Sequence, residues 1–141
     1  MKIYFAGAIR GGRDDARLYL ELVDVLKAYG TVLTEHVADE QTTALGESRD
    51  DIAIHDRDLA WLKEADCLVA EVTTPSLGVG FEIGKATEWN LRVLCLFRPS
   101  AGRALSALIA GSDRLAVREY KSAADLDEIF DDFFVTPATE S

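Results

Sequence analysis

Two carboxylates fall where amphipathic helices usually place apolar side chains. Glu82 lies three residues after Val79 and four before Ala86. Asp58 lies four after Ile54, three before Trp61 and four before Leu62. Helical spacing puts each acid on or beside the stripe that a helix turns toward its sheet. An acid at the border of such a stripe simply faces water. Two acids displaced together carry a second reading. Desolvation raises a carboxylate's pKa, and a neighbouring carboxylate raises one of the two further. A pair driven apart in this way supplies one ionised nucleophile and one proton donor. Those groups cleave a glycosidic bond, and a retaining mechanism needs them roughly 5 Å apart.

Glu82 is embedded in PSLGVGFEIG, Pro75–Gly84, where Gly78, Gly80 and Gly84 open and line its helix. Glycine permits close backbone approach and leaves amide donors free at a helix N-terminus, which suits an anion. Ser76 adds a hydroxyl. A second glycine-rich turn, GAIRGG from Gly7 to Gly12, contributes further amides, and Arg10 can offer a bidentate fork to a phosphate. Neither turn has GxGxxG dinucleotide spacing or the GK[ST] of a P-loop. Tight turns and close helix–sheet packing account for such glycines equally well. Taken with Glu82, the turns imply a ligand with two ends. An anionic group rests on GAIRGG, Arg10 and the Ser76 turn. An uncharged carbon faces Glu82 and becomes cationic in the transition state.

The elements that would position these residues alternate between strand and helix. Lys2–Ala6 reads as a strand. Arg13–Tyr29 has helical spacing, with Asp14 and Asp15 suited to its first turn and Gly30 to its stop. Thr31–Thr34 reads as a short strand and Glu35–Asp50 as a long polar loop. Helix Asp51–Ala65, strand Asp66–Val72, helix Gly78–Asn90 and strand Leu91–Phe97 follow. A short helix near Leu105–Ala110, a strand Leu115–Tyr120 and a helix Ala123–Phe134 behind Ser122 complete the series. This alternation predicts an α/β fold: one doubly wound, flavodoxin- or Rossmann-like parallel sheet of five strands, ordered 2-1-3-4-5. The domain is expected over residues 1–134, with 135–141 a flexible tail. Ligands of such sheets bind outside the carboxyl ends of the strands, where the strand order reverses. That edge carries GAIRGG, the TEHV corner and TTPSLGVG.

Composition narrows the partners. The chain has 141 residues, 48% of them apolar, which fits one folded domain. A net charge of −10 argues against a nucleic-acid backbone, which needs clustered Lys and Arg. The absence of an apolar run of about 18 residues argues against a membrane span. The MKIYFAGAIR start lacks the features of a secretory signal, so the expected location is the cytoplasm. Cys67 and Cys95 lie in apolar runs and read as buried free thiols. They share no metal-ligand spacing with His36 or His55, and no metal or cofactor is called for.

FAGAIRGGRDD, GTVLTEHV, HDRDLAWLKEAD, AEVTTPSLGVGFEIG and LCLFRPSAGRALSALI together resemble one family, the 2′-deoxynucleoside 5′-monophosphate N-hydrolases. That family lies within the wider nucleoside 2-deoxyribosyltransferase superfamily. The resemblance runs from Ile3 to about Ile109. It implies cleavage of the bond between base and deoxyribose 5-phosphate, with Glu82 as the nucleophile at the anomeric carbon. It implies that Asp58 assists as acid/base or holds the sugar, and that Tyr4 belongs to the active site. It assigns the phosphate to the loop holding Gly7, Ile9, Arg10 and Gly11 and to the turn holding Ser76 and Gly78. A homodimer is implied, with Ser106 lent across the interface, and His36 is placed near the base. Tyr4 ties the chain to the deoxyribonucleotide branch, since relatives acting on cytidine ribonucleotides carry Phe there. One departure stands out. The family usually reads GSIRGG, and Ala8 here lacks that hydroxyl. One neutral hydrogen bond is worth about 0.5–1.5 kcal/mol net, so weaker phosphate binding and a less strict need for the phosphate are expected. Two other functions fit these motifs: a 2-deoxyribosyltransferase, in which a second base intercepts the intermediate, and a non-catalytic nucleotide sensor.

Overall fold

The computed structural model describes residues 1–8, 13–34, 50–99 and 102–135. Five strands, β1 (Lys2–Ala6), β2 (Thr31–Val32), β3 (Cys67–Glu71), β4 (Arg92–Phe97) and β5 (Ala116–Glu119), form one sheet in the order β2-β1-β3-β4-β5. Every pairing is parallel. The helices are α1 (Arg13–Leu26), α2 (Asp51–Glu64), α3 (Leu77–Glu88), α4 (Ala107–Ala110) and α5 (Leu126–Phe130). The expected class and strand order are both observed. The order reverses between β1 and β3, and sheets of this kind bind ligands at such a point, outside the carboxyl ends of the strands.

Strand alternation divides the core into two layers. Ile3 and Phe5 of β1, Cys67 and Val69 of β3, and Leu94 and Leu96 of β4 pack with Tyr19, Leu22 and Leu26 of α1 and with Leu126, Ile129 and Phe130 of α5. The intervening residues Tyr4, Ala6, Leu68, Ala70, Val93 and Cys95 pack with Leu62 of α2 and with Val79, Ile83 and Ala86 of α3. β3 is buried at all five positions, as a central parallel strand covered on both faces must be. Both thiols are free and buried, and burial pushes each up to about 12.

Three elements differ from expectation at their ends for local reasons. The strand expected over Thr31–Thr34 stops at Val32. Leu33 still donates to the Ile3 carbonyl at 2.8 Å, but then the Thr34 hydroxyl replaces the ladder. It accepts from the Phe5 N–H at 2.8 Å and donates to the Phe5 carbonyl at 2.6 Å. The first helix ends at Leu26, and the chain turns through Ala28 and Tyr29 on three-residue hydrogen bonds. The last helix opens with a 3₁₀ turn, Ala123–Asp125, and leaves through a wide π turn, Asp131–Val135. The wide turn sets Phe133 and Phe134 at 5.1 Å, with Phe134 stacked on Tyr29 at 5.0 Å. Past Val135, the expected tail lies outside the described residues.

Candidate active site

Tyr4 occupies a position of β1 that faces α2 and α3, and it is 1% exposed. Glu82 lies in the second turn of α3, one turn beyond Val79, on the face that packs on the sheet. The Tyr4 hydroxyl donates to Glu82 Oε2. Burial pushes the Glu82 carboxyl up to about 7; the Tyr4 hydrogen bond pulls it back, and the Asp58 charge adds a smaller upward push. Burial likewise raises the Tyr4 phenol, followed by the charge of Glu82 and the bond to it, with Asp58 adding to the rise. The phenol therefore stays a hydrogen-bond donor, and Glu82 divides between acid and carboxylate near neutral pH.

Asp58 belongs to this group through α2, whose start is set by Asp50 accepting the Ala53 N–H at 2.8 Å. Arg57 grips Asp58 Oδ1 with Nε at 3.0 Å and Nη2 at 2.9 Å, and its guanidinium lies 4.9 Å from the Trp61 ring centre. α2 and α3 meet near His55 and Phe81, whose ring centres are 6.2 Å apart. The structure thus brings together all three residues expected at the glycosidic end.

The glycines split between the two explanations they allowed. A Cβ at Gly7 would lie 2.9 Å from the Tyr19 ring, so close packing requires glycine there. Around Gly80 and Gly84 there is open space, and at Gly78 a Cβ would meet only Ser76 Oγ, at 3.8 Å. Packing does not explain glycine at those three positions. Ser76 caps α3, its Oγ accepting from the Val79 N–H at 3.3 Å. Its hydroxyl hydrogen points elsewhere, beside a helix start whose first amides have no acceptor within the helix. α3 ends at Glu88; two residues on, Asn90 takes a positive φ of 63°, as residues just past helix stops favour, and Arg114 donates to its side-chain oxygen at 2.9 Å. Ser106 is exposed and caps α4, accepting from the Leu108 N–H at 3.3 Å. Among the described residues it shares no hydrogen bond with the Glu82 group. Ile9, Arg10, Gly11 and His36 lie outside the described residues. Also among the described residues, no three His, Cys, Asp or Glu side chains come together as metal ligands would.

Sequence reasoning missed a fully buried carboxylate. Glu71 ends β3 on the other face of the sheet and is fully buried. Its Oε1 accepts the Thr73 N–H at 3.0 Å, and its Oε2 accepts the Thr73 hydroxyl at 2.8 Å and the Tyr120 hydroxyl at 2.5 Å. Arg98 Nε approaches the same Oε2 at 3.4 Å, while Arg98 Nη2 reaches Asp15 of α1 at 3.1 Å. Thr74 donates to the other Asp15 oxygen at 3.0 Å. The usable signal was alternation: Cys67 and Val69 face the α1 layer, so Glu71 must face it too.

Residues 3–114 match the nucleoside 2-deoxyribosyltransferase family. The chain belongs to that family. Among its relatives, a 5-hydroxymethyl-dUMP N-hydrolase from Tetraodon nigroviridis is 51% identical over 139 residues, covering 95% of this chain and 97% of that protein. The protein of the same name from Homo sapiens is 50% identical over 137 residues, covering 94% and 78%. Two solved structures share the deoxyribosyltransferase fold. A 2-deoxyribosyltransferase from Bacillus psychrosaccharolyticus has a TM-score of 0.67 at 18% identity, covering 90% of each chain. A CMP N-glycosidase from Clostridium botulinum has a TM-score of 0.65 at 14% identity, covering 94% and 99%. Within the family fold, the Glu82 group lies on the α2/α3 face of the sheet and the Glu71 network on the α1/α5 face.

Proposed function

We propose that this chain hydrolyses the N-glycosidic bond of 2′-deoxynucleoside 5′-monophosphates, releasing free base and 2-deoxyribose 5-phosphate. The observation that carries the reading is the Tyr4–Glu82 bond beside Asp58, at the carboxyl edge of the sheet. Relatives at about half identity, named as N-hydrolases of a deoxyuridine monophosphate, support the substrate class. They place 5-hydroxymethyl-dUMP first in any panel of substrates.

In this reading, ionised Glu82 attacks C1′ as the bond to the base breaks, giving a covalent glycosyl-enzyme. The base leaves with the bonding electrons, and Asp58 takes a proton from water and passes it to the departed base. That water attacks C1′ and frees Glu82. Tyr4 holds the Glu82 carboxylate in line and donates to the oxygen that is not attacking. The 5′-phosphate rests at the α3 start, where Ser76 and the first-turn amides stand. Gly7, Ile9, Arg10 and Gly11 grip it from the β1 side, and His36 lies toward the base.

The same reading includes a homodimer in which Ser106 of the partner subunit touches the phosphate. Large apolar side chains left in water on the helices support it: Ile52 on α2 is 76% exposed, Leu77 on α3 97% and Leu108 on α4 86%. A cytoplasmic location fits the two reduced thiols, and no helix among the described residues is long and apolar enough to cross a membrane.

Glu82→Gln keeps shape and removes the nucleophile. Base release should fall by at least about 10³-fold while calorimetry still detects nucleotide binding. A near-normal rate would reject the assignment. Adding a different free base to the wild-type reaction separates hydrolysis from transfer. Sugar phosphate as the only sugar product fits hydrolysis, and a new nucleotide would make the chain a transferase. Tight binding with no base release over hours would make it a sensor.

A further inference from the structure

We propose that Glu71 is a positioning residue for the phosphate end of the site, acting from the opposite face of the sheet. This rests on the function proposed above. Three chain segments converge on its carboxylate. Thr73, one residue past β3 and Val72, begins the turn that leads to Ser76. Arg98 follows β4, and Tyr120 follows β5. Arg98 and Thr74 then carry the tie to Asp15 in the first turn of α1. One buried charge therefore ties the turn that enters α3, where the phosphate is proposed to rest, to the start of α1. Its bonds do not include Tyr4, Glu82 or Asp58.

The protons show why the group must be a carboxylate. The Thr73 hydroxyl oxygen accepts the Arg98 backbone N–H at 2.9 Å, so its own hydrogen is directed to Glu71. Four donors thus meet two oxygens. A glutamine offers one oxygen and one NH₂. If the NH₂ takes the Oε1 place it meets the Thr73 N–H, and if it takes the Oε2 place it meets Arg98 Nε–H. Hydroxyls could rotate to accept, but neither of those N–H groups can. Glu71→Gln therefore breaks the Thr73 anchor in one orientation and displaces Arg98 from the network in the other, and either weakens the tie between the Thr73–Ser76 turn and α1.

A loosened turn should weaken the hold on phosphate and spare the chemistry. For Glu71→Gln, KM for a deoxynucleoside monophosphate should rise at least about tenfold, with kcat within about threefold. The rate on the matching unphosphorylated deoxynucleoside should be unchanged. Arg98→Met removes the charged one of the two links to Asp15 at a partly exposed site, so it keeps the idea testable if the glutamine variant does not fold, and it should show the same split. Tyr120→Phe, which leaves the carboxylate and three donors, should change KM about twofold at most. Equal losses on both substrates would mean a general structural role and would overturn the proposal, as would no change in KM. Calorimetry with 2-deoxyribose 5-phosphate and with 2-deoxyribose needs no turnover. The wild-type preference for the phosphorylated sugar should shrink about tenfold in Glu71→Gln. If wild type shows that preference but releases no base, the proposed reaction fails and the role of Glu71 stands.

Discussion

On the α2/α3 face of the sheet a glutamate receives one hydroxyl; on the α1/α5 face another receives two hydroxyls, a backbone amide and the edge of a guanidinium. Glu82 also has a second carboxylate, Asp58, close enough to push it upward, whereas Glu71 has the cation Arg98. A buried charge is costly unless hydrogen-bonded and paired. Glu71 meets that condition and serves as an anchor. Glu82 falls short of it and is left reactive, because a carboxylate with few donors keeps an electron pair to offer and a pKa near the working pH. The difference lies in how many donors the neighbours aim at the carboxylate.

Removing each side chain should separate the two roles most sharply in stability. Glu71→Ala leaves the Thr73 amide, two hydroxyls and the Arg98 charge without their acceptor. Breaking a buried pair from one side costs about 3–5 kcal/mol, so the unfolding free energy extrapolated from urea denaturation should drop by that amount with an unchanged m-value. A loss below about 1 kcal/mol would show that water replaces the carboxylate freely, and the anchor would be no anchor.

Glu82 should behave in the opposite sense, and pH reveals it. Its folded-state pKa of about 7 lies above the unfolded value of 4.5. Between these values the folded chain holds a proton that the unfolded chain releases. Stability is therefore fully present below about pH 4.5 and is lost as pH rises through about 7. At pH 8 the loss is on the order of 2–3 kcal/mol. Glu82→Gln removes it, so the variant should be more stable than wild type at pH 8 and show no such decline from pH 5 to 8. Parallel curves for the two proteins would contradict the buried, poorly satisfied state of this carboxylate.

Much of the first region was legible, and little of the second. Helical spacing around Val79, Glu82 and Ala86 set the acid on a buried face, and strand–helix alternation set the sheet order. The Tyr4–Glu82 bond spans 78 residues and came within reach only through resemblance. Glu71 sits in CLVAE, a run whose burial on both faces hides which residue is the exception. Its partners at 73, 98 and 120 follow three different strands, and no local spacing connects them. The early end of β2 was hidden too, because a Thr side chain that substitutes for a strand bond looks like an ordinary strand residue.

Tyr4→Phe tests the one donor to Glu82 among the described residues. The phenol bond lowers the Glu82 pKa, so losing it raises that pKa. Turnover that needs ionised Glu82 should rise with pH through about 7 in the wild type. In the variant the midpoint should move up by about half a pH unit, and the high-pH plateau should fall about tenfold as the carboxylate loses its alignment. An unmoved midpoint would assign the acidic limb to another group, with Asp58 the first to examine.

The smallest expected effect lies where the two regions meet. Ala8 is buried just past β1, and its N–H donates at 3.1 Å to the Tyr19 hydroxyl, whose ring covers Gly7. That amide is turned toward the α1 layer, so position 8 can add to phosphate binding only through its side chain. Ala8→Ser supplies one hydroxyl worth about 0.5–1.5 kcal/mol. KM for the monophosphate should fall about two- to tenfold, with kcat and the unphosphorylated substrate unchanged. A gain shared by both substrates would mean that the serine tightens the turn through the Tyr19 side and leaves the phosphate untouched. Position 8 would then belong with the anchoring region and have no part in gripping the substrate.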